Sequence, residues 1–320
     1  RTISVTANDG DGGSTTATKV VNVNNVAPTA TVSGASSVSE ASVYTLSVGA
    51  ITEPGTDTRT GYTIAWGDGN TSSFTPAQWA AAAGSFTHTY ADNAAATITV
   101  SATDEDGTFV LGTQAVTINN VAPTALLTGA SSTNEGSLYS LNITGSDVAG
   151  AADPLTYSID WNDGSAVQTL TAAQLAALSG VVTHTFADDQ DGAINSTPRT
   201  ISVTANDGDG GSTTATRVVN VNNVAPTLAA TGASTVETGQ LYTLNLGAIT
   251  DPGQDTVASY SIDWGDGSAP QVVTTNGNVT HTFATAGART VAVSLTDEDG
   301  TYTNVASVAV TVGTLSATVS

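Results

Sequence analysis

The 320-residue chain has no cysteine and no methionine. Without cysteine there are no disulfides, no thiolate metal ligands and no cysteine nucleophile. Cationic side chains are almost as scarce: six Lys and Arg stand against 28 Asp and Glu, a formal net charge of −22. Nucleic acid is excluded as a partner, because binding it requires clustered cations that release counterions. Anionic membrane surfaces are excluded on the same ground. No run approaches the 18 or so apolar residues of a spanning helix, so no membrane insertion is expected. Few lysines, many threonines and no cysteine fit a bacterial protein that is extracellular or on the cell surface. The missing methionine and the lack of a signal pattern give the expectation of an internal piece of a longer protein.

What the chain has is repetition. Residues 1–29 recur at 199–227 with one change, Lys19 to Arg217. A weaker repeat halves that interval. Asn-Asn-Val-Ala-Pro-Thr begins at Asn24, Asn119 and Asn222, and Trp66, Trp161 and Trp264 keep the same spacings. The three histidines, His88, His184 and His281, lie 96 and 97 apart. The expected organisation is the C-terminal part of one domain (1–29), three whole domains (30–124, 125–227 and 228–314) and the start of another (315–320).

Within each unit short segments alternate with period two, the signature of strands with one buried face. Tyr62/Ile64/Trp66 is echoed by Tyr157/Ile159/Trp161 and Tyr260/Ile262/Trp264. Phe86/His88/Tyr90 has counterparts in Val182/His184/Phe186 and Val279/His281/Phe283. Gly-, Asp- and Asn-rich turns separate the segments. Strands at this density predict an all-β fold of two-sheet sandwiches. The one helical signal is Thr75-Pro76 through Gly84, with a threonine cap and proline at the first turn; Thr171 to Gly180 repeats it and the last unit lacks it.

Trp66-Gly67-Asp68-Gly69, Trp161-Asn162-Asp163-Gly164 and Trp264-Gly265-Asp266-Gly267 resemble the Trp-x-Phe-Gly-Asp-Gly core of the polycystic kidney disease (PKD) repeat. The His-Thr-Tyr or His-Thr-Phe strands and the Val-x-Ala-Thr-Asp-Glu-Asp-Gly hairpin are similar too. The phenylalanine before Gly-Asp-Gly is absent, because the strand ends at tryptophan. The resemblance implies tandem immunoglobulin-like (PKD-type) β-sandwiches in a linear array, serving as extracellular spacers or adhesive modules, some of them binding calcium. It implies no catalysis.

Candidate chemistry narrows quickly. The histidines share one strand position per domain, so they are expected to be buried imidazoles bonded to the neighbouring turn, with no convergent triad. The tryptophans at strand ends read as core pins. Trp79, whose counterpart is Leu175, reads as a cap on its own core or a contact between domains. Asp68, Asp163 and Asp266 are expected to bond the amides of their own turns. No enzyme is expected.

The remaining acids gather at the linkers. In an immunoglobulin-like topology the second-to-third and sixth-to-seventh strand loops lie where the chain comes in, and the first-to-second and fifth-to-sixth where it leaves. The first junction would combine Glu40, Asp92, Asn119 and Asn120 with Asp153, Asp207 and Asp209. The second would combine Glu135, Asp188, Asn222 and Asn223 with Asp251, Asp255, Asp297 and Asp299. Hard oxygen ligands in such number suit Ca²⁺, which takes six to eight at about 2.3–2.6 Å. A local site on Asn8-Asp9-Gly10-Asp11 is the alternative. The last unit lacks an acid in loop 284–287 and replaces Asn-Asn with Thr311-Val-Gly-Thr314, so it should bind calcium poorly despite Glu237.

Three functions fit: a stalk, fibre or filament assembled with other copies of the repeat protein; a calcium-dependent adhesin for sugar or protein ligands; or the spacer of a secreted hydrolase. Linkers as short as Val-Ala-Pro-Thr favour a semi-rigid rod. Two strands within 1–25 cannot bury an apolar face alone, so they are expected to be completed by protein outside residues 26–320.

Overall fold

The computed structural model describes residues 1–189 and 196–314; the expected start of a further domain at 315–320 lies outside them. The described chain is all-β apart from two single-turn helices. It divides into two compact units. One comprises 1–122 with loops 147–154 and 207–211; the other comprises 123–146, 155–206 and the chain from 212 onward.

Three sandwiches share one strand order. In the first, a three-stranded sheet runs Val32–Gly34, Val43–Val48, Ser85–Thr89, and a five-stranded sheet runs Ser37–Ser39, Thr108–Asn119, Ala94–Thr103, Gly61–Ala65, Thr71–Phe74. The second and third repeat this arrangement with strands from Thr124–Gly129 to Ser212–Asn222 and from Thr227–Gly232 to Thr301–Gly313. All pairings are antiparallel but one per sandwich: Ser37–Ser39, Ser132–Asn134 and Thr235–Glu237 each lie parallel to the long last strand. Each first strand therefore begins in the small sheet and finishes in the large one.

The sequence at that crossing explains it. Gly34-Ala35, Gly129-Ala130 and Gly232-Ala233 mark the point where the chain leaves the small sheet. A side chain at Gly34 would place its Cβ 2.2 Å from the Tyr44 hydroxyl, and one at Gly129 would lie 2.6 Å from that of Tyr139. Glycine leaves room for the ring, and the tyrosine hydroxyls donate to the Ala35 and Ala130 carbonyls at 3.0 Å. These bonds satisfy backbone acceptors that neither sheet can reach.

Each sandwich has its own core. Tyr62, Ile64 and Trp66 are buried, as are their counterparts at 157–161 and 260–264, so the period-two reading holds on this strand. Trp79 caps the first core by stacking on Tyr62 at 4.3 Å, while Leu175 is buried in its place in the second. The helices Pro76–Ala81 and Ala172–Ala177 each carry a full capping box, Thr75 with Gln78 and Thr171 with Gln174.

Thr2–Asn8 and Ser14–Val20 form a two-stranded sheet of their own. Its register, Thr2 opposite Val20, is that of Thr200 opposite Val218 in the second sandwich. The near-identical sequences thus fold into the same hairpin with opposite burial. Ile3 and Val5 are 54% and 64% exposed, whereas Ile201 and Val203 are wholly buried. The second sandwich supplies an opposing sheet and the first hairpin has none among the described residues.

This contrast makes a prediction. Val5→Asp should change the stability of the chain by no more than about 0.5 kcal/mol, as for other exposed positions. Val203→Asp, the same substitution in the same local sequence, would bury an unpaired charge and should unfold the second sandwich. Urea denaturation followed by circular dichroism on the two variants checks both.

Candidate metal centres

The histidines are the first groups to place. Each stacks face to face on the tryptophan of its own sandwich, His88 on Trp66 at 4.7 Å, His184 on Trp161 at 4.5 Å and His281 on Trp264 at 4.7 Å. Their Nε2 atoms lie 2.7, 2.5 and 2.8 Å from Asp68, Asp163 and Asp266. The imidazoles are therefore bonded to the neighbouring turn as expected. They are not fully enclosed, however: their side chains keep 15–18% of their surface exposed, because the turn covers only one edge of the ring.

The aspartates hold the turn with the other oxygen, which accepts the amides of Asn70, Ser165 and Ser268. In the second and third sandwiches a serine hydroxyl, Ser165 or Ser268, donates to the same carboxylate. The carboxylate thus sits between hydroxyl and imidazole. Acyl transfer needs the imidazole in the middle, where it can take the hydroxyl proton. Hydrogen bonds from Ser268 and then His281 hold the Asp266 carboxyl far below the usual aspartate range. Burial raises Asp68 and Asp163, but the bonds from their histidines, Asn70 and Ser165 outweigh it and keep both low. Gly67 and Gly265 turn the chain here with φ of 89° and 71°, and Asn162 adopts the same left-handed conformation at φ 58°. Asparagine is the residue after glycine that tolerates it best.

The linker acids form a different kind of site. In the first unit Glu40, Asp147 and Asp153 each direct a carboxylate oxygen to one point, all within 4.8 Å of one another, and Asp92, Asp153 and Asp209 do the same. Asp153 belongs to both groups and is completely buried. Neither of its oxygens has a hydrogen-bond partner among the described residues, nor has Oε2 of Glu40 or Oδ2 of Asp147. The other Glu40 oxygen accepts the linker amide of Val121 at 2.6 Å. Burial, and then Glu40, Asp92, Asp147 and Asp209, push the Asp153 carboxyl up to about 6. Asp207 stands apart. Burial raises it, yet the Asn120 amide at 2.9 Å and the amides of Asp209 and Gly211 hold it below its ordinary value.

The second unit repeats the pattern with different residues. Glu135 gathers with Asp188 and Asp189, and again with Asp251 and Asp255. Its two oxygens accept the amides of Val224, in the linker, and Asp189. Both oxygens of Asp255 and Oδ2 of Asp251 and Asp297 lack partners among the described residues. Burial, then Glu135, Asp251 and Asp299, push the Asp255 carboxyl up to about 8. Glu135, Asp251 and Asp297 are raised as well, burial being the first cause in each. Asn223 bonds Asp299 at 2.9 Å and exchanges two hydrogen bonds with Tyr302.

Of the residues expected at the linkers, Asn119 and Asn222 do not turn their side chains to these clusters. Asn119 offers its backbone carbonyl to the Glu40 amide, and the Asn222 amide group donates to Asn134. Both are the last residues of strands, so their side chains follow the sheet's alternation while the next asparagine faces inward. Asp147 and Asp189 were missed. Asp189 directly follows Asp188, and Asp147 follows strand residue Ser146 as Asp251 follows Thr250, an equivalence that the differing loop lengths hid. Glu237 is exposed in the third sandwich, unlike buried Glu40 and Glu135. Asp9 accepts the amides of Asp11 and Gly13 within its own turn.

Burying several carboxylates against one another without counter-charge is unfavourable, since each raises its neighbours. The donor set suits a hard divalent cation: oxygens only, converging from several loops, with lone pairs left open. Glu40, Asp92, Asp147, Asp153 and Asp209 would hold such an ion in the first unit, and Glu135, Asp188, Asp251 and Asp255 in the second.

Comparison with known proteins gives one family match: residues 223–312 match the PKD domain. No curated protein sequence matches the chain. Among solved structures, the fibronectin(III)-like modules of Clostridium thermocellum CbhA are similar at 18% identity, covering 60% of this chain and 94% of theirs, with a TM-score of 0.25. Three N-terminal domains of the bacteriophage RB49 outer capsid protein Hoc are similar at 13% identity, covering 91% and 99%, with a TM-score of 0.27. Among the described residues no helix is long and apolar enough to cross a membrane.

The raised carboxyls predict a pH dependence of known sign. In chelator the folded chain keeps a proton on Asp255 between the ordinary aspartate value of 3.8 and about 8, where the unfolded chain has released it. Stability should therefore be greatest near pH 4 and fall as pH rises towards 8. Asp255→Asn should flatten that slope while leaving stability at pH 4 unchanged. Thermal melts across this range, with chelator present, measure it.

Proposed function

From a chain whose residues 223–312 match the PKD domain, preceded by two sandwiches of the same strand order, we propose a non-catalytic structural segment of a bacterial extracellular or cell-surface protein. It forms part of a stalk, fibre or filament of tandem repeats, and calcium at the linker clusters stiffens it. The observation that carries this reading is Asp153, buried with both carboxylate oxygens unpartnered among four further acids. A calcium ion would reverse the sign of that repulsion. It would also tie Glu40, bonded to the linker, to a loop of the following repeat, so that binding energy goes into fixing the linker.

The first hairpin repeats the sequence and register of its twin in the second sandwich. Ile3, Val5 and Val23 carry the residues that its twin buries at Ile201, Val203 and Val221. The fitting partner is the five-strand remainder of another repeat of this kind, presenting the face that strands Leu138–Ser146 and Thr156–Asp160 present to the twin. An adhesin or hydrolase spacer would use the same sandwiches, but no surface among the described residues favours either over the stalk.

Small-angle scattering on the full chain tests the stiffening. Calcium should narrow the distribution of interdomain angles in the wild type, and chelator should broaden it. The double variant Asp153→Asn/Asp255→Asn should scatter identically in both conditions. Wild-type profiles that calcium leaves unchanged would reject the stiffening role.

A further inference from the structure

One strand position differs between the sandwiches in a way that leaves space. Val100, Val203 and Val293 pair with Ile64, Ile159 and Ile262 in the same register. Four residues before each valine stand Ala96 in the first sandwich, Arg199 in the second and Arg289 in the third. Arg199 reaches two backbone carbonyls. It donates to Asn162, in the turn after Trp161, at 3.4 Å and to Asp189, in the loop after Phe186, at 2.8 Å. Arg289 donates to the carbonyl and the hydroxyl of Thr285, in the loop after Phe283, at 3.3 and 2.8 Å. In both sandwiches a guanidinium fastens the strand to the loop that precedes it.

Ala96 has no such side chain, and a cleft of about 290 Å³ lies beside it, lined also by Gly67, Asp68 and Asn93. Gly67 follows Trp66 as Asn162 follows Trp161, and Asn93 comes three residues after Tyr90 as Asp189 comes three after Phe186. The two residues whose carbonyls Arg199 binds therefore have their counterparts on the wall of the cleft. Tyr90 stands where Phe186 and Phe283 do. Its hydroxyl donates to the Trp66 carbonyl at 3.0 Å, one residue short of the counterpart of the carbonyl that Arg199 reaches. The Asp68 carboxylate, bonded to Asn70 and His88, puts negative charge on one side. None of the described residues lining the cleft is cationic.

We infer that this cleft in the first sandwich binds one guanidinium group from outside it, carried either by free arginine or by the arginine side chain of a peptide. Arg199 shows the mode of binding. A planar fork of donors reaches the turn carbonyl on one side and the loop carbonyl on the other, which a compact ammonium cannot do at once. Asp68 supplies the charge that favours a cation, and the Ala96 methyl leaves the path open. The site is independent of the linker reading, since Gly67, Asp68, Asn93 and Ala96 belong to none of those acid clusters.

Amide chemical shifts of the full chain, titrated with ethylguanidinium far below denaturing concentrations, decide the matter. The wild type should show saturable shifts centred on Gly67 and Asn93, and ethylammonium should shift the same amides less. Ala96→Arg places the chain's own guanidinium in the cleft and should abolish the response. It should fold, because the third sandwich carries Arg289 with Gly265 in the place of Gly67 and a loop of equal length. Ala96→Gln, which fills the cleft without a charge, should abolish the response as well and serves if the arginine variant does not fold. L-Arginine and the tripeptide Gly-Arg-Gly then separate the sources: saturation by the amino acid alone assigns a small-molecule ligand, and saturation by the tripeptide assigns an arginine side chain. Absence of saturable shifts in the wild type, equal shifts with ethylammonium, or an unchanged response in a folded Ala96 variant would overturn the site.

Discussion

A carboxylate taken out of water needs a positive charge or donors to answer it, and that constraint organises the loops of this protein. Two solutions to it occur side by side. Asp68, Asp163 and Asp266 are answered by the protein itself, through turn amides and an imidazole flattened against the core tryptophan. Their carboxyls sit below the ordinary range as a result. Asp153 and Asp255 are surrounded by other acids and rise above it. One kind of aspartate closes a sandwich and asks nothing of the solution. The other carries a mutual repulsion that the proposed ion would relieve.

Three repeats within one chain act as internal controls on this contrast. The tryptophan, the histidine and the turn aspartate keep their mutual geometry in all three, with ring separations that differ by only a few tenths of an ångström. The acid clusters vary in membership, loop length and counter-charge. Arg59 stands where Val257 does. The core fixes what every copy must have in order to fold. The loops are where copies differ, which is where function resides in folds of this kind.

Strand identity, turn chemistry and capped helices were legible because they are local. Alternation at Tyr62, Ile64 and Trp66 states one buried face, and Thr75 with Pro76 states a helix start. The crossing of the first strand between sheets was not legible. It depends on a glycine meeting a tyrosine ring that lies about ten residues further on in sequence. The candidate sites were legible as gatherings of acids, but membership was not. Asn119 and Asn120 are equivalent in composition, yet alternation sends one outward and the other to Asp207. Glu53, Asp57 and Asp104 hold the repeat positions of Asp251, Asp255 and Asp297, and the burial of Asp104 shows that they converge too.

The identical registers of the two hairpins bear on how such a chain reaches its native state. Residues 1–20 and 199–218 are interchangeable as partners for the same five strands, so neither local sequence can tell its own sandwich from the other's. Adjacent repeats of this likeness are prone to trade elements while they fold, a characteristic failure of multidomain chains. Here the like copies stand 198 residues apart, with a divergent sandwich of residues 30–124 between them. During synthesis that intervening repeat can fold before its neighbour's double emerges. Alternating the sequence of successive beads would act as a spacer in time, separating look-alike partners by the interval the ribosome needs to make one more domain.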